Sequence, residues 1–241
     1  MMSLSSLVGS TIKKSNMSVP AVKPTNVDFS ASIAPFTEVT TGTSPNIIST
    51  VSKTITGTPG LNGTYTIRCN YWPLGHLSGA FDNNIYTHAD SVWANHNTVI
   101  GYNGNQRSYI GPAYDSLGNY LFGSTFFTTS GGTNYIGDYI DVYYPMSVIM
   151  KKYRFLSRWG TGWNARHARQ LYFFGSNDNG TTWIYLHSYL KTSNASGVYE
   201  EIPFPTTTNS YNLYRMVINS VNSLGSPFWN IGELNMIFDV A

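Results

Sequence analysis

A single cysteine, Cys69, in 241 residues excludes an intrachain disulfide, so burial and hydrogen bonding must hold the fold. Charge is scarce as well. Only 11% of residues are charged, and 14 basic against 12 acidic side chains leave a formal charge of +2, too near neutral for the basic face that nucleic-acid phosphates demand. No nucleic-acid partner is expected. The chain also lacks an apolar run of about 18 residues, the length a membrane span needs. Its opening, "MMSLSSLVGSTIKKSNMS", has no cationic segment followed by an apolar core, so no secretory signal is read there. Catalytic signatures are missing too. His88 and Asp90 lie close in sequence without a nucleophile elbow or zinc-helix motif, and "TTSGGTN" lacks the lysine and following helix of a phosphate loop. The expectation is a non-enzymatic protein.

What the chain does have is 15% aromatic residues, 22 glycines and abundant Asn, Ser and Thr, a profile of strands and loops with little helix. Residues 1–55 are rich in Ser, Thr, Val and Pro. Pro20, Pro24, Pro35 and Pro45 stand too close together for a helix to grow between them, and large apolar residues are few, which predicts an extended N-terminal arm. Residues 56–241 then form one domain. In "GTYTIRCNYW" Tyr65, Ile67 and Cys69 alternate with Thr64, Thr66 and Arg68, the period-two pattern of a strand with one covered face. "GDYIDVYYP" reads as a second strand. After Pro145 come "SVIMKKYRFLSRW", "ARQLYFFGS", "TTWIYLHSYL", "YNLYRMVINSV" and "IGELNMIFDV". Between the early strands lie Gly-, Asn- and Tyr-rich stretches that read as long loops with short strands, the usual place for binding residues.

The Asn177–Gly180 turn in "FFGSNDNGTTWIYL" marks a hairpin, with the turn exposed and Trp183 buried. Lys151, Lys152, Arg154, Arg158, Arg166 and Arg169 fall in one stretch, read as a solvated strand face and loop. Together these strands predict an all-β fold, an antiparallel β-sandwich or jelly roll, following an extended arm.

Four blocks carry a family resemblance: "GAFDNNIYTHADSVW", "GDYIDVYYPMSVIMKKYRF", "LYFFGSNDNGTTWIYL" and "YNLYRMVINSVNSLGSPFWNIGELNMI". In this order they resemble the discoidin-like, galactose-binding-like β-sandwich family, which includes coagulation-factor C-type domains and many carbohydrate-binding modules. The sequence departs from the family pattern at Asn83 and Asn84, at an extra turn residue, Asn179, and in a long region over 95–136. The resemblance implies a structural calcium ion near the early aspartate, with Asp82, Thr87 and Glu233 at the matching positions. All three offer the oxygen ligands that a hard cation takes.

A sugar site needs an aromatic platform with a few polar groups to orient hydroxyls. Trp72, Arg158, Trp163, Arg166 and His167 supply these ingredients, the last four in the loop "SRWGTGWNARHAR". The competing reading puts Trp159 in the core and pairs the arginines with a neighbouring subunit. Discoidin-like domains with an N-terminal arm and this texture are similar to those in virion proteins of large DNA viruses and phages. The resemblance therefore implies a minor capsid or fibre component in the virion, held by its arm against other capsid or fibre proteins. The alternative is an extracellular carbohydrate-binding module or attachment lectin that recognises cell-surface glycans.

Overall fold

The alternation in residues 63–69 is realised as a strand: Tyr65, Ile67 and Cys69 are buried, Thr64 is exposed, and Thr66 and Arg68 are half-buried. In the computed structural model, which describes residues 23–33, 37–41, 48–69, 80–81, 92–94, 114–121, 127–156, 167–192, 199–205, 209–222 and 229–241, strands predominate. From the N-terminus, β1 (Val27–Asp28) leads into a helical turn, α1 (Phe29–Ile33), then β2 (Thr37–Thr41), β3 (Ile48–Ile55) and β4 (Gly63–Cys69). Asp28 Oδ1 caps α1 by accepting the Ala31 N–H at 2.9 Å. Short pieces follow, β5 (Val92–Ala94) and the hairpin of β6 (Phe127–Ser130) and β7 (Thr133–Ile136). The 19-residue β8 (Asp138–Leu156) precedes β9 (Ala168–Ser176), β10 (Ile184–Leu190), β11 (Tyr199–Pro203), β12 (Tyr211–Val221), β13 (Trp229–Ile231) and β14 (Glu233–Val240).

Every strand pairing among the described residues is antiparallel. The first half of β8 lies between β12 and β4 in a layer ordered β10-β9-β12-β8-β4-β3-β2. Its second half lies between β11 and β14, with β1 on the far side of β14. One strand thus serves both layers of an antiparallel β-sandwich.

The sequence suggested two strands here, broken at Pro145, and the structure joins them. Tyr143 is the last β8 residue opposite β4, and Val148 is where both Tyr211 and Val240 pair. Pro145 falls between these registers, at a corner where no ladder needs its missing N–H. Tyr214 serves the corner from β12: its hydroxyl donates to Val148 O at 2.7 Å and accepts the Met150 N–H at 3.3 Å.

The core fills the space between the layers with aromatic rings. Tyr153 meets Phe173 at 4.8 Å between centroids, and Tyr144 meets Phe238 at 5.0 Å while its hydroxyl donates to Met236 Sδ at 3.4 Å. Burying each such side chain contributes about 2–3 kcal/mol, and the edge-on geometry adds to it.

Much of the expected arm belongs to this core. Val27 and Asp28 pair with Phe238 and Ile237, β3 pairs along its length with β4, and Phe29 and Ile33 are fully buried. The Phe29 ring stands edge-on to Tyr65 and Phe81, both at 6.0 Å, and to Tyr144 at 5.8 Å. A boundary at 55/56 would cut the β3–β4 hairpin. Average composition misses this because one capped turn with two apolar residues four apart closes the sandwich there. Residues 1–22 lie outside the described residues.

The hairpin turn follows the sequence expectation. Asn177, Asp178 and Asn179 are exposed, Asn179 and Gly180 take φ of 58° and 83°, and Trp183 is buried. A Cβ on Gly180 would stand 2.9 Å from the Trp183 ring, which packs back over the turn.

Candidate functional site

Strand ends from both layers gather at one end of the sandwich. In the first layer Cys69 lies opposite Ile140, Leu190 opposite Gln170, and Val221 opposite Ala168. In the second, Leu156 lies opposite both Glu233 and Tyr199. The connections that follow β4, β8, β10 and β12 therefore leave from the same end.

Four of the buried charged or titratable side chains, Asp138, His167, Lys191 and Glu233, sit at this end. Asp138 opens β8 and points inward. It accepts hydrogen bonds from the Tyr120 hydroxyl and Trp229 Nε1, both at 2.9 Å, with the Tyr114 hydroxyl at 3.5 Å. Burial, with the Asp138 charge alongside, pushes the Tyr114 hydroxyl well above its ordinary pKa. Lys191 follows β10, and its Nζ lies 3.2 Å from Glu200 and 5.3 Å from the Phe155 ring centroid. Tyr189 donates its hydroxyl to the same Glu200 carboxylate. Burial pulls the Lys191 ammonium below its ordinary pKa, and Glu200 opposes that pull. The pair links the end of β10 in one layer to β11 in the other.

Of the residues expected to bind ligand, Trp72, Arg158, Trp163 and Arg166 lie outside the described residues. His167 is 1% exposed, so its ring lies in the interior rather than on an exposed loop. It immediately precedes β9, whose pairing carries it inward, and its carbonyl accepts the Asn222 N–H at 2.8 Å. Of the expected calcium ligands, Asp82 and Thr87 also fall outside the described residues. Glu233 is fully buried at the start of β14. Its carboxylate is a donor suited to a hard cation, but among the described residues no group of three potential ligands forms.

Three residues of the basic stretch, Lys151, Lys152 and Arg154, are paired with acids on adjoining elements. Lys151 pairs with Asp239 at 2.8 Å, Lys152 and Arg154 with Glu201 at 2.9 and 2.8 Å, and Arg154 approaches Asp28 at 3.7 Å. Hydrogen bonds from Lys152 and Arg154 hold the Glu201 carboxyl below its ordinary pKa.

A second concentration of buried charge, which the sequence did not reveal, lies on the outer face of the first layer. Arg215 on β12 grips Asp141 on β8 through Nε at 2.6 Å and Nη2 at 2.8 Å, and its Nη1 donates to Thr128 at 3.1 Å. Its guanidinium is stacked between Tyr139 at 3.6 Å and Trp183 at 4.2 Å. Arg68 on β4 reaches the same carboxylate from the other side, with Nη2 at 2.6 Å and Nε at 3.3 Å, and lies 5.1 Å from the Tyr143 ring centroid. The alternation of "DYIDVYY" places Tyr139, Asp141 and Tyr143 on one face. Only the register shows that two arginines meet there.

No protein-family model matches the chain, and no curated protein matches it. Among solved structures, a CBM32 domain from a family 31 glycoside hydrolase of Clostridium perfringens is 12% identical, with a TM-score of 0.45 over 72% of this chain and 88% of that one. A family 32 carbohydrate-binding module of C. perfringens, solved with galactose, is 12% identical with a TM-score of 0.42 over 72% and 93%. The C-terminal domain of a chitobiase from Bacteroides fragilis is 15% identical with a TM-score of 0.44 over 89% and 99%. At these TM-scores the likenesses add nothing to the strand pairing described above.

Proposed function

We propose that this chain is a non-catalytic carbohydrate-binding module that takes its ligand at the gathered strand ends. The observation that carries this is the placement of Asp138, His167, Lys191 and Glu233, buried charged or titratable groups at the end from which the connections leave. Burying such groups is costly unless they are paired, and a core without them would be cheaper to build. Here Asp138 ties Tyr114, Tyr120 and Trp229 together, and Lys191 ties the end of β10 to Glu200 on β11. Trp72 and Trp163 are the ring platforms of the proposal, with Arg158 and Arg166 orienting sugar hydroxyls. His167, buried just before β9, is not one of the proposed contact residues. A structural calcium ion on Asp82, Thr87 and Glu233 belongs to the same proposal, where it would tie an early segment to the start of β14.

An assembly role through an N-terminal arm has less chain to work with, because residues 27–33 and 48–55 are engaged in the sandwich. Titration of the full chain against a panel of neutral and acidic glycans tests the proposal. Binding is expected, with loss of about tenfold in Trp72→Ala and Trp163→Ala at unchanged melting temperature. Absence of glycan binding, together with fixed-stoichiometry copurification with virus particles, would overturn it in favour of assembly.

A further inference from the structure

The outer face of the first layer carries more positive charge than its carboxylate neutralises. Asp141 is fully buried and shared by two guanidinium groups. Arg215 is spent: its side chain is 9% exposed, it is bonded through Nε, Nη1 and Nη2, and rings lie against it. Arg68 differs. Its side chain is 30% exposed, Nε and Nη2 are turned to Asp141, and among the described residues Nη1 has no acceptor. The end-on edge of the guanidinium, with Nη1–H beside the remaining Nη2–H, is the fork that receives a carboxylate through two parallel hydrogen bonds.

The neighbourhood of that fork is hydroxyl-rich. Tyr143 lies beside it, Thr66 is directly opposite Tyr143, and Ser52 is opposite Thr66 on the next strand. Thr64 and Thr54 follow, both exposed, with their hydroxyls 2.8 Å apart. Sheet geometry sets these rows about 4.8 Å apart across the strands. A protein partner would look for apolar anchors in a dry pocket. Two half-buried tyrosine rings, Tyr139 and Tyr143, beside a row of hydroxyls suit a small polyol instead.

We propose that this face is a second ligand site, which takes a carboxylate-bearing sugar with its carboxylate on Arg68 and its hydroxyls over Tyr143, Thr66 and Ser52. The site lies next to the strand end at Cys69 but on the outer face of the layer, whereas Asp138 and Glu233 are buried inside, and it stands or falls without the strand-end proposal. Titrating the full chain with D-glucuronate and with D-glucose tests it, since the two differ only in the oxidation state of C6. Glucuronate should bind about tenfold more tightly, the gain from a charge-assisted pair, and the advantage should shrink as sodium chloride is raised. Arg68→Gln should abolish the advantage. Arg68→Lys keeps a cation near Asp141 but lacks the fork, and should lose most of the advantage even if Arg68→Gln is unstable. Trp163→Ala should leave the advantage intact. Equal affinity for the two sugars, no binding of either, an advantage that survives in Arg68→Lys, or one that disappears in Trp163→Ala would each overturn the proposal.

Discussion

At the residue scale, Asp141 shows how a fully buried carboxylate can be tolerated. Each of its oxygens receives charged donors, and stacked rings shield the Arg215 group. Asp141→Asn would leave two guanidinium groups facing a neutral amide. The expected loss is about 3–5 kcal/mol, the cost of removing one partner from a buried ion pair. It should be read as a lower urea midpoint with unchanged slope. Asp178 in the hairpin turn gives a pH signature. Its carboxylate accepts the Thr182 N–H at 2.9 Å and the Ser176 hydroxyl at 2.7 Å, which holds its pKa at about 2 against an ordinary 3.8. A folded value below the unfolded one stabilises the native state above the unfolded pKa, and this contribution is lost as pH falls through about 2. Thermal melts of wild type and Asp178→Ala should therefore differ at pH 6, and the gap should close between about pH 4 and pH 2.

At the scale of elements, Gly137 joins the β6–β7 hairpin to β8 at φ 150°, and a Cβ there would stand 2.3 Å from the Ile218 carbonyl oxygen. Gly137→Ala should cost about 2 kcal/mol or more, because both the backbone angle and a fixed carbonyl oppose the methyl group. A denaturant titration measures it. The strand at 63–69 and the Asn177–Gly180 hairpin were legible in the sequence, since alternation and turn chemistry are local. β1 and α1 were not: two and five residues carry too little periodicity to register. Pro145 misled for a related reason, as it marks a strand break unless a strand changes layers at that residue. Arg215 and Asp141 are 74 positions apart, so their meeting depends on pairing register, which no local pattern encodes. His167 reads as loop in the sequence because it sits one residue before the strand that buries it.

At the scale of the whole molecule, residues 27–33 and 48–55 are part of the folding unit. Removing residues 1–55 takes away Phe29, Ile33 and Val51 from the core and strips β4 of its β3 partner. Losing a buried phenylalanine alone costs about 3–5 kcal/mol, comparable to the whole stability of many domains. The shorter fragment should show no cooperative melt by circular dichroism. A sharp transition at the wild-type temperature would restore the arm to independence.

The strand that turns the corner at Pro145 also determines how this protein could be divided. The first layer draws β2, β3, β4 and half of β8 from before the corner, and β9, β10 and β12 from after it. The second layer takes β1 from before the corner and its other strands from after it. A chain severed between Pro145 and Ser147 would yield two pieces, each with half of an interleaved set of ladders and neither with a closed core. Such pieces are the natural halves of a split reporter, inert apart and structured only when brought together.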